Sequence, residues 1–414
     1  MNGITIMPPK VVIIGHSYTS RLGIIRSVAQ IGSEITVIVM TWFKHDGKTV
    51  NDKKPIDCYS KYVSNVYYCL RTDKERLIQI LLDCCTDSQQ KVVLIPDSDD
   101  TVVAIDNHQE QLKEFFLFPH ILHQPGKIEY WMDKNHQKEL ARNVGLNVAD
   151  LQHVIEIKDG QYTIPSNLNY PCFSKPLATM NGGKGGMRRC NNALELADAL
   201  DFIIIQYKIK DVRVLIEDYK EIEEEYALLG FSDGKAVCVP AILKFLSVSK
   251  HNKGIARQGV VMPIDGFEEL VDKFRQYVLT IGFVGVFDID FYRSNDIFYF
   301  CEINLRFGGS GYAVTKMGVN LPAMMVKYLT GNNTCNMNRS ISGSAVYANE
   351  RMCMDDWYHG YITRKEYHRI LDCSDIRFVA DENDPLPERA YQREYRIKTL
   401  KKYVKDGLKW LRLR

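Results

Sequence analysis

The stretch Asp288-Ile289-Asp290-Phe291, followed by Phe298-Tyr299-Phe300-Cys301-Glu302-Ile303-Asn304-Leu305-Arg306-Phe307-Gly308-Gly309-Ser310, decides how this chain is read. The alternation over 298–304 predicts a strand with Glu302 and Asn304 on one face. Residues 284–292 predict an earlier strand, joined to it through a turn at Arg293-Ser294-Asn295-Asp296. Such a hairpin sets Asp290 beside Glu302 and Asn304, with a guanidinium and a glycine pair directly behind. Hard oxygen donors suit Mg²⁺, which binds through one or two carboxylates plus the phosphates of a nucleotide. The plain alternative is a strand with solvated acids, which the density of donor types at this spacing argues against.

Composition sets wide bounds. The chain has 414 residues, 45% hydrophobic and 25% charged, with a formal net charge of +2. That length suits two or three domains with large cores, and the charge gives no sign of nucleic acid as a partner. The first ten residues show no basic segment followed by a long apolar run, and no stretch approaches the apolar length of a membrane helix. The 11 cysteines include no CxxC pair and read as reduced thiols of a cytoplasmic protein.

Working outward, the strand Lys10–Gly15, a helix over 19–31 and a strand over 35–40 predict a βαβ opening for a parallel sheet. The segment Gly15-His16-Ser17-Tyr18-Thr19-Ser20 lacks the second and third glycines of a dinucleotide fingerprint. The strand Val92–Pro96 ends in Asp97-Ser98-Asp99-Asp100, either a ligand-facing strand end or, slightly favoured, a solvated cap of the next helix. Helices are expected over 127–144, 193–200, 265–281 and Leu321–Leu329, with Gly145 and Gly331 as stops. Short strands are expected around Val154, Tyr162 and Phe173, and longer ones over 212–217, 226–231 and 236–246. Beyond Asn332 the chain turns aromatic and charged, with Asp384-Pro385-Leu386-Pro387 reading as a break.

Phe173-Ser174-Lys175-Pro176 puts a lysine at a strand end, shortly before Asn181-Gly182-Gly183-Lys184-Gly185-Gly186. Four glycines around one lysine can wrap an anion with backbone N–H groups; a surface hairpin turn is the equal alternative. The loop is not a Walker A motif, because Gly-Lys-Ser/Thr is missing.

Together these motifs, in this order, resemble the ATP-grasp superfamily, whose pattern is an Asp on one strand and then Glu-x-Asn-x-Arg. The resemblance implies an α/β chain: an ATP-grasp fold of two α+β lobes clasping ATP, preceded by a Rossmann-like parallel-sheet domain. The corresponding ranges are 1–125 for the pre-domain and 126–332 for the ATP-grasp domain, with a lid subdomain at about 150–215. Residues 333–414 follow as a C-terminal extension with a basic amphipathic helix. By the same resemblance Lys134 lies on the phosphate side, Lys175 touches the adenine side and the α-phosphate, and Gly182, Gly183, Gly185 and Gly186 close over the β- and γ-phosphates. Glu217, Asp218 and Tyr219 would be the hinge that reads adenine. Glu225 would hold the ribose, with Glu221, Glu223 and Glu224 as other candidates and Ile222 where family chains often carry glycine. Asp290, Glu302 and Asn304 would hold Mg²⁺ or Mn²⁺, while Lys184 and Arg306 would meet the transferred phosphoryl group; Arg257, in a polar loop after a strand, joins them by its position alone.

The activity so implied is ATP-dependent ligation of a small-molecule carboxylate to an amine through an acyl phosphate. Within the superfamily the chain looks most like carboxylate–amine ligases related to D-aspartate ligases, which points to an amino acid such as aspartate and a cell-envelope or small-molecule carboxylate. A non-catalytic or regulatory ATP-binding protein and an ATP-grasp kinase stay open as alternatives, and so does a homodimer. Residues 393–414 hold nine Lys or Arg against Glu394 and Asp406, a local balance of +7 in a chain whose total is +2. Tyr395, Leu400, Tyr403, Val404, Leu408, Trp410 and Leu411 interleave with these charges as an amphipathic basic helix. It either packs on its own domain or a partner subunit, the favoured reading, or docks peripherally on anionic lipid at the inner face of a membrane.

Overall fold

Val11, Val12, Ile13 and Ile14 are all buried, so both faces of their strand are covered, as in a parallel sheet with helices on each side. The computed structural model describes residues 8–41, 54–84, 90–176, 187–207, 210–332 and 336–412. In it β1 (Lys10–Gly15), β2 (Glu34–Thr41), β3 (Val63–Leu70), β4 (Val92–Pro96) and β5 (Phe116–Leu117) form a parallel sheet ordered β3-β2-β1-β4-β5. The helices α1 (Tyr18–Ala29), α2 (Lys74–Asp83), α3 (Asp99–Asn107) and α4 (Gln109–Leu112) lie between its strands in sequence. α2 is set by an apolar stripe of Leu77, Ile78, Ile80 and Leu81 and capped by Asp73, which accepts from the Arg76 amide. Strand order reverses between β1 and β4. That makes Gly15-His16 and Asp97-Ser98 the mouth of the crevice where open α/β sheets take ligands.

The chain then passes through β6 (His120–Ile121), α5 (Lys127–Trp131), α6 (Lys134–Asn143) and β7 (Asn147–Val148). A four-stranded antiparallel sheet follows, built of β8 (Leu151–Ile157), β9 (Cys172–Pro176), β10 (Arg188–Cys190) and β11 (Val212–Asp218) in the order β10-β9-β11-β8. One helix, α7 (Ala193–Tyr207), covers it by burying Leu196, Ala199, Leu200 and Ile203 against Ile155, Ile157, Val214 and Ile216. Tyr162 is not in a strand: its hydroxyl donates to Asp201 at 2.8 Å, and the neighbouring Gln161 makes only an isolated bridge to Lys158.

The largest sheet has nine strands among the described residues. β12 (Glu224–Asp233), β13 (Val237–Val248), β14 (Ala256–Met262), β15 (Phe283–Ser294) and β16 (Ile297–Asn304) are its centre, with β17 (Ala345–Ala348) and β18 (Ile376–Arg377) at one end. β7 closes the other end beside β16, and β6 pairs with β15. One face is covered by α8 (Glu268–Ile281), where Val271, Phe274, Tyr277, Val278 and Ile281 meet Phe287, Ile289, Phe291 and Phe300. That helix starts three residues later than 265 and stops at Gly282, whose φ of 73° is the left-handed conformation glycine accepts most readily. The other face packs on α9 (Gly311–Lys316), α10 (Leu321–Leu329) and the first sheet's α1.

The residues beyond 332 are folded into this body. α11 (Glu350–His359), α12 (Arg364–Asp372) and α13 (Pro385–Arg412) gather Trp357, Tyr367, Tyr391 and Tyr395 into one cluster. Pro385 and Pro387 start α13 instead of marking a break, because the first helical turn needs no N–H there. The inner face of α13 is fixed by Tyr391 and Tyr395, by Glu394 on Arg351 at 2.6 Å and by Lys398 on Asp355 at 2.8 Å. Its outer face leaves Ile397, Leu400, Tyr403 and Val404 exposed. The start of the helix is locked to α1 by Arg26, which pairs with the buried Asp384 at 3.0 Å and donates to the carbonyls of Phe378, Val379 and Asp384. Replacing Arg26 by Ala strands a buried carboxylate and three carbonyls, so Arg26→Ala is expected to lower the unfolding free energy by about 3–5 kcal/mol. Urea unfolding measures it; a loss below about 1 kcal/mol, the level of an exposed pair, would contradict the pairing.

Candidate nucleotide and metal site

Asn295 and Asp296 sit at φ 49° and 60° between Ser294 and Ile297, the two-residue turn that matches the twist of a hairpin. It sets the register of β15 against β16, with Asp288 opposite Asn304 and Asp290 opposite Glu302. Strict alternation would put Phe298 and Phe300 on the same face as Glu302 and Asn304. A bulge resolves the conflict: Asp290 pairs with Glu302 and Phe291 with Phe300, leaving Cys301 as the extra residue. Phe300 and Ile303 therefore enter the core, while Cys301 and Glu302 both line a cavity of about 300 Å³.

The opposite wall comes from α6, through Lys138, and from the four-stranded sheet, through Lys175. Lys134 and Lys138, one helical turn apart, face the same way from α6, and Lys175 projects from β9. All three are buried. Glu302 takes Lys134 at 3.0 Å and Lys175 at 3.7 Å, while Glu217, at the end of β11, pairs with Lys138. Burial lowers the Lys134 ammonium, and so does neighbouring Lys175, with Glu302 opposing. Burial also lowers Lys138, against the pull of Glu217. For Lys175 the burial effect is outweighed by Cys301, Glu302 and Glu217, which raise it. Three buried ammonium groups on two carboxylates form a cation-rich wall suited to polyphosphate.

Glu217, Asp218, Tyr219 and Glu225 all line the same cavity, and so does Ile222. Glu225 stands opposite Tyr292, whose ring stacks on Tyr299 at 5.4 Å. Arg306 lies at the other end. Its Nε meets Asp99 at 2.6 Å and a terminal nitrogen donates to the Asn304 amide oxygen at 3.3 Å. The acidic strand end of the first sheet thus faces the hairpin, which the helix-cap reading of Asp99 does not capture. Asp288 is buried behind Arg306, and burial pushes its carboxyl up to about 7, with Arg306 pulling the other way. Gly308 passes so close that a Cβ there would lie 2.1 Å from Asp288 Oδ2.

Arg257 stands apart from these residues. Like Lys134, Asn304 and Arg306 it does not line the cavity, and its guanidinium pairs with the fully buried Asp356 at 2.9 Å. Lys184, Gly182, Gly183, Gly185 and Gly186 lie outside the described residues, in the connection from β9 to β10. Lys138, Asp288, Cys301 and Tyr292 are site residues that sequence reading passes over. Of these, Lys138 carries a readable signal, its i+4 spacing from Lys134 in a helix. Among the described residues no three His, Cys, Asp or Glu cluster tightly enough to hold a metal unaided. Asp290, Glu302 and Asn304 offer two carboxylates and an amide oxygen, a donor set whose chemistry fits Mg²⁺ completed by nucleotide phosphates.

No family model and no curated protein matches the chain. Solved structures do. The biotin carboxylase domain dimer of 2-oxoglutarate carboxylase from Hydrogenobacter thermophilus, in complex with MgADP, ADP and bicarbonate, aligns with a TM-score of 0.64 at 17% identity, over 82% of this chain and 74% of that one. N5-carboxyaminoimidazole synthetase from Staphylococcus aureus, complexed with ADP, aligns at 0.59 and 18%, over 82% of each chain. An L-amino acid ligase from Bacillus licheniformis aligns at 0.60 and 16%, over 83% of this chain and 80% of that one. The class these likenesses define is the ATP-grasp fold.

At the crevice of the first sheet, Asp97 accepts from the His16 amide at 3.0 Å and lies 3.6 Å from Arg21. Burial pushes the Asp97 carboxyl up to about 7, and pushes the His16 imidazole down to about 4. A carboxyl with a raised folded value holds a proton that the unfolded chain releases, so its contribution to stability fades as pH rises from about 4 to about 7. His16 acts oppositely, so the variant isolates the carboxyl. Asp97→Asn is expected to gain stability relative to the parent as pH rises through that window, by urea unfolding at pH about 4 and about 8. A difference that stays flat would remove the raised carboxyl.

Proposed function

We propose that the chain is an ATP-dependent carboxylate–amine ligase. The observation that carries this reading is Glu302, opposite Asp290 on the hairpin and paired with Lys134 of α6 and Lys175 of β9. In the reaction a substrate carboxylate oxygen bonds to the γ-phosphorus of ATP as ADP leaves. The amine nitrogen then bonds to the acyl carbon, phosphate leaves, and the nitrogen gives up a proton. Mg²⁺, when bound, neutralises and aligns the phosphates. Asp290, Glu302 and Asn304 would hold it. Lys134, Lys138 and Lys175 offset the remaining phosphate charge, and Arg306, with Asp99, meets the transferred group at the crevice of the first sheet. The cavity beside Glu217, Asp218, Tyr219 and Glu225 takes the nucleoside. The likeness to an L-amino acid ligase and the motif resemblance to D-aspartate ligases support an amino acid such as aspartate as the amine and a cell-envelope or small-molecule carboxylate as its acceptor. Lys184 and the glycines around it serve as the lid that keeps water from the acyl phosphate.

The test is ADP release with Mg²⁺ and ATP across D- and L-amino acids, with and without cell-wall precursor carboxylates. Release is expected to depend on one amino acid and to fall at least about 100-fold in Glu302→Ala. Phosphorylated carboxylate accumulating regardless of any amine would identify a kinase, and Mg²⁺–ATP binding without turnover would identify a non-catalytic nucleotide-binding protein.

A peripheral membrane contact belongs to the same proposal. No helix among the described residues is long and apolar enough to cross a membrane. On α13, however, Arg393, Arg396 and Lys401 are exposed beside Ile397, Leu400 and Val404, while Glu394 turns inward onto Arg351. An outward face of basic and apolar side chains complements anionic lipid. The full chain is expected to sediment with anionic but not zwitterionic vesicles, and Leu400→Asp with Val404→Asp to abolish it; unchanged sedimentation of that variant would end the membrane reading.

A further inference from the structure

The loop 249–255 between β13 and β14 reaches the nucleotide cavity, where Lys253 and Gly254 form part of the wall. Its sequence, Ser249-Lys250-His251-Asn252-Lys253-Gly254, carries three basic side chains and no acid. A loop of this composition has little apolar surface to hold it in place. It is fixed from outside the cavity by Asp356 on α11. That carboxylate is fully buried and accepts from Ser249 Oγ at 2.8 Å, from the amides of Lys250 and His251 at 3.1 and 2.9 Å, and from Arg257 at 2.9 Å. Ser249 Oγ in turn accepts from the Asn252 amide at 3.0 Å, and Asp355 takes the Asn252 side chain at 3.3 Å. The His251 ring stacks on His359, at the end of the same helix, with centroids 3.8 Å apart.

The half of the loop from 249 to 252 is therefore pinned, and the next residue is Lys253 at the cavity. Among the described residues Lys253 has no acidic partner, whereas the other lysines lining the cavity do: Lys138 and Lys175 each pair with a glutamate and Lys220 with Asp218. We infer that Asp356 is a positioning residue for nucleotide binding: it fixes the 249–255 loop so that Lys253 meets a phosphate of the bound nucleotide. The inference rests on the nucleotide reading above. Its physical basis is entropy, since a lysine on an untethered loop must be ordered at the moment of binding and a pinned one is ordered beforehand.

Calorimetric titration of the full chain with Mg²⁺–ADP and, separately, with adenosine tests it, because adenosine shares the nucleoside but not the phosphates. Lys253→Ala is expected to weaken Mg²⁺–ADP by about ten-fold and to leave adenosine unchanged, with Lys253→Arg restoring most of the loss. Asp356→Asn is expected to weaken Mg²⁺–ADP similarly, and the double variant to bind no worse than either single one. Should Asp356→Asn fail to fold, Ser249→Ala removes one of the four bonds and should show the same selectivity for ADP over adenosine. Parental affinity in Lys253→Ala, or simple additivity in the double variant, would overturn the inference while leaving the nucleotide site intact. A parent chain that binds neither ligand would overturn the nucleotide reading itself.

Discussion

The site depends on one carboxylate shared by two buried ammonium groups. Glu302 stands on the large sheet, Lys134 on α6 and Lys175 on the four-stranded sheet, so a single anion joins three separately built elements. Burying these charges costs solvation that only close pairing offsets. The arrangement leaves more positive than negative charge on that wall, and a bound polyphosphate would complete it. Stability and binding are in this sense the same electrostatic problem. The second pair, Lys138 with Glu217, repeats the solution one helical turn away.

Much of this was legible in the residues, and the limits have physical reasons. Asp290, Glu302 and Asn304 could be placed together because a hairpin is local and its turn is short. Lys175 could be placed because it ends an apolar strand. The partners across the cavity were harder, since nothing in the chain says which helix lysine meets which strand acid. Asp99 shows the same limit: a helix-capping acid and a partner for an arginine 207 positions away look alike until the two sheets are docked. Arg257 shows the converse. Its place after a strand suggested phosphate, but Asp356, far along the chain, occupies its guanidinium.

The residues after 332 looked like a charged tail because aromatic and charged side chains stand out along the stretch. In the fold they add β17 and β18 to the large sheet and clasp α1 through Arg26 and Asp384. The first sheet is therefore held between the hairpin side, through Arg306 and Asp99, and the C-terminal side, through Arg26. Such double anchoring fixes the crevice at His16 and Asp97 relative to the hairpin that carries Asp290 and Glu302.

The bulge at Cys301 has an effect on how the strand can vary. Upstream of it, Phe298 and Phe300 follow the rhythm demanded by the greasy interior under α8; downstream, Glu302 and Asn304 follow the rhythm demanded by the cleft. One spare residue joins two stretches written in opposite phase. Packing and ligand chemistry consequently never compete for the same side of the ribbon, and each stretch can exchange side chains without disturbing the other, provided the number of residues between them stays the same.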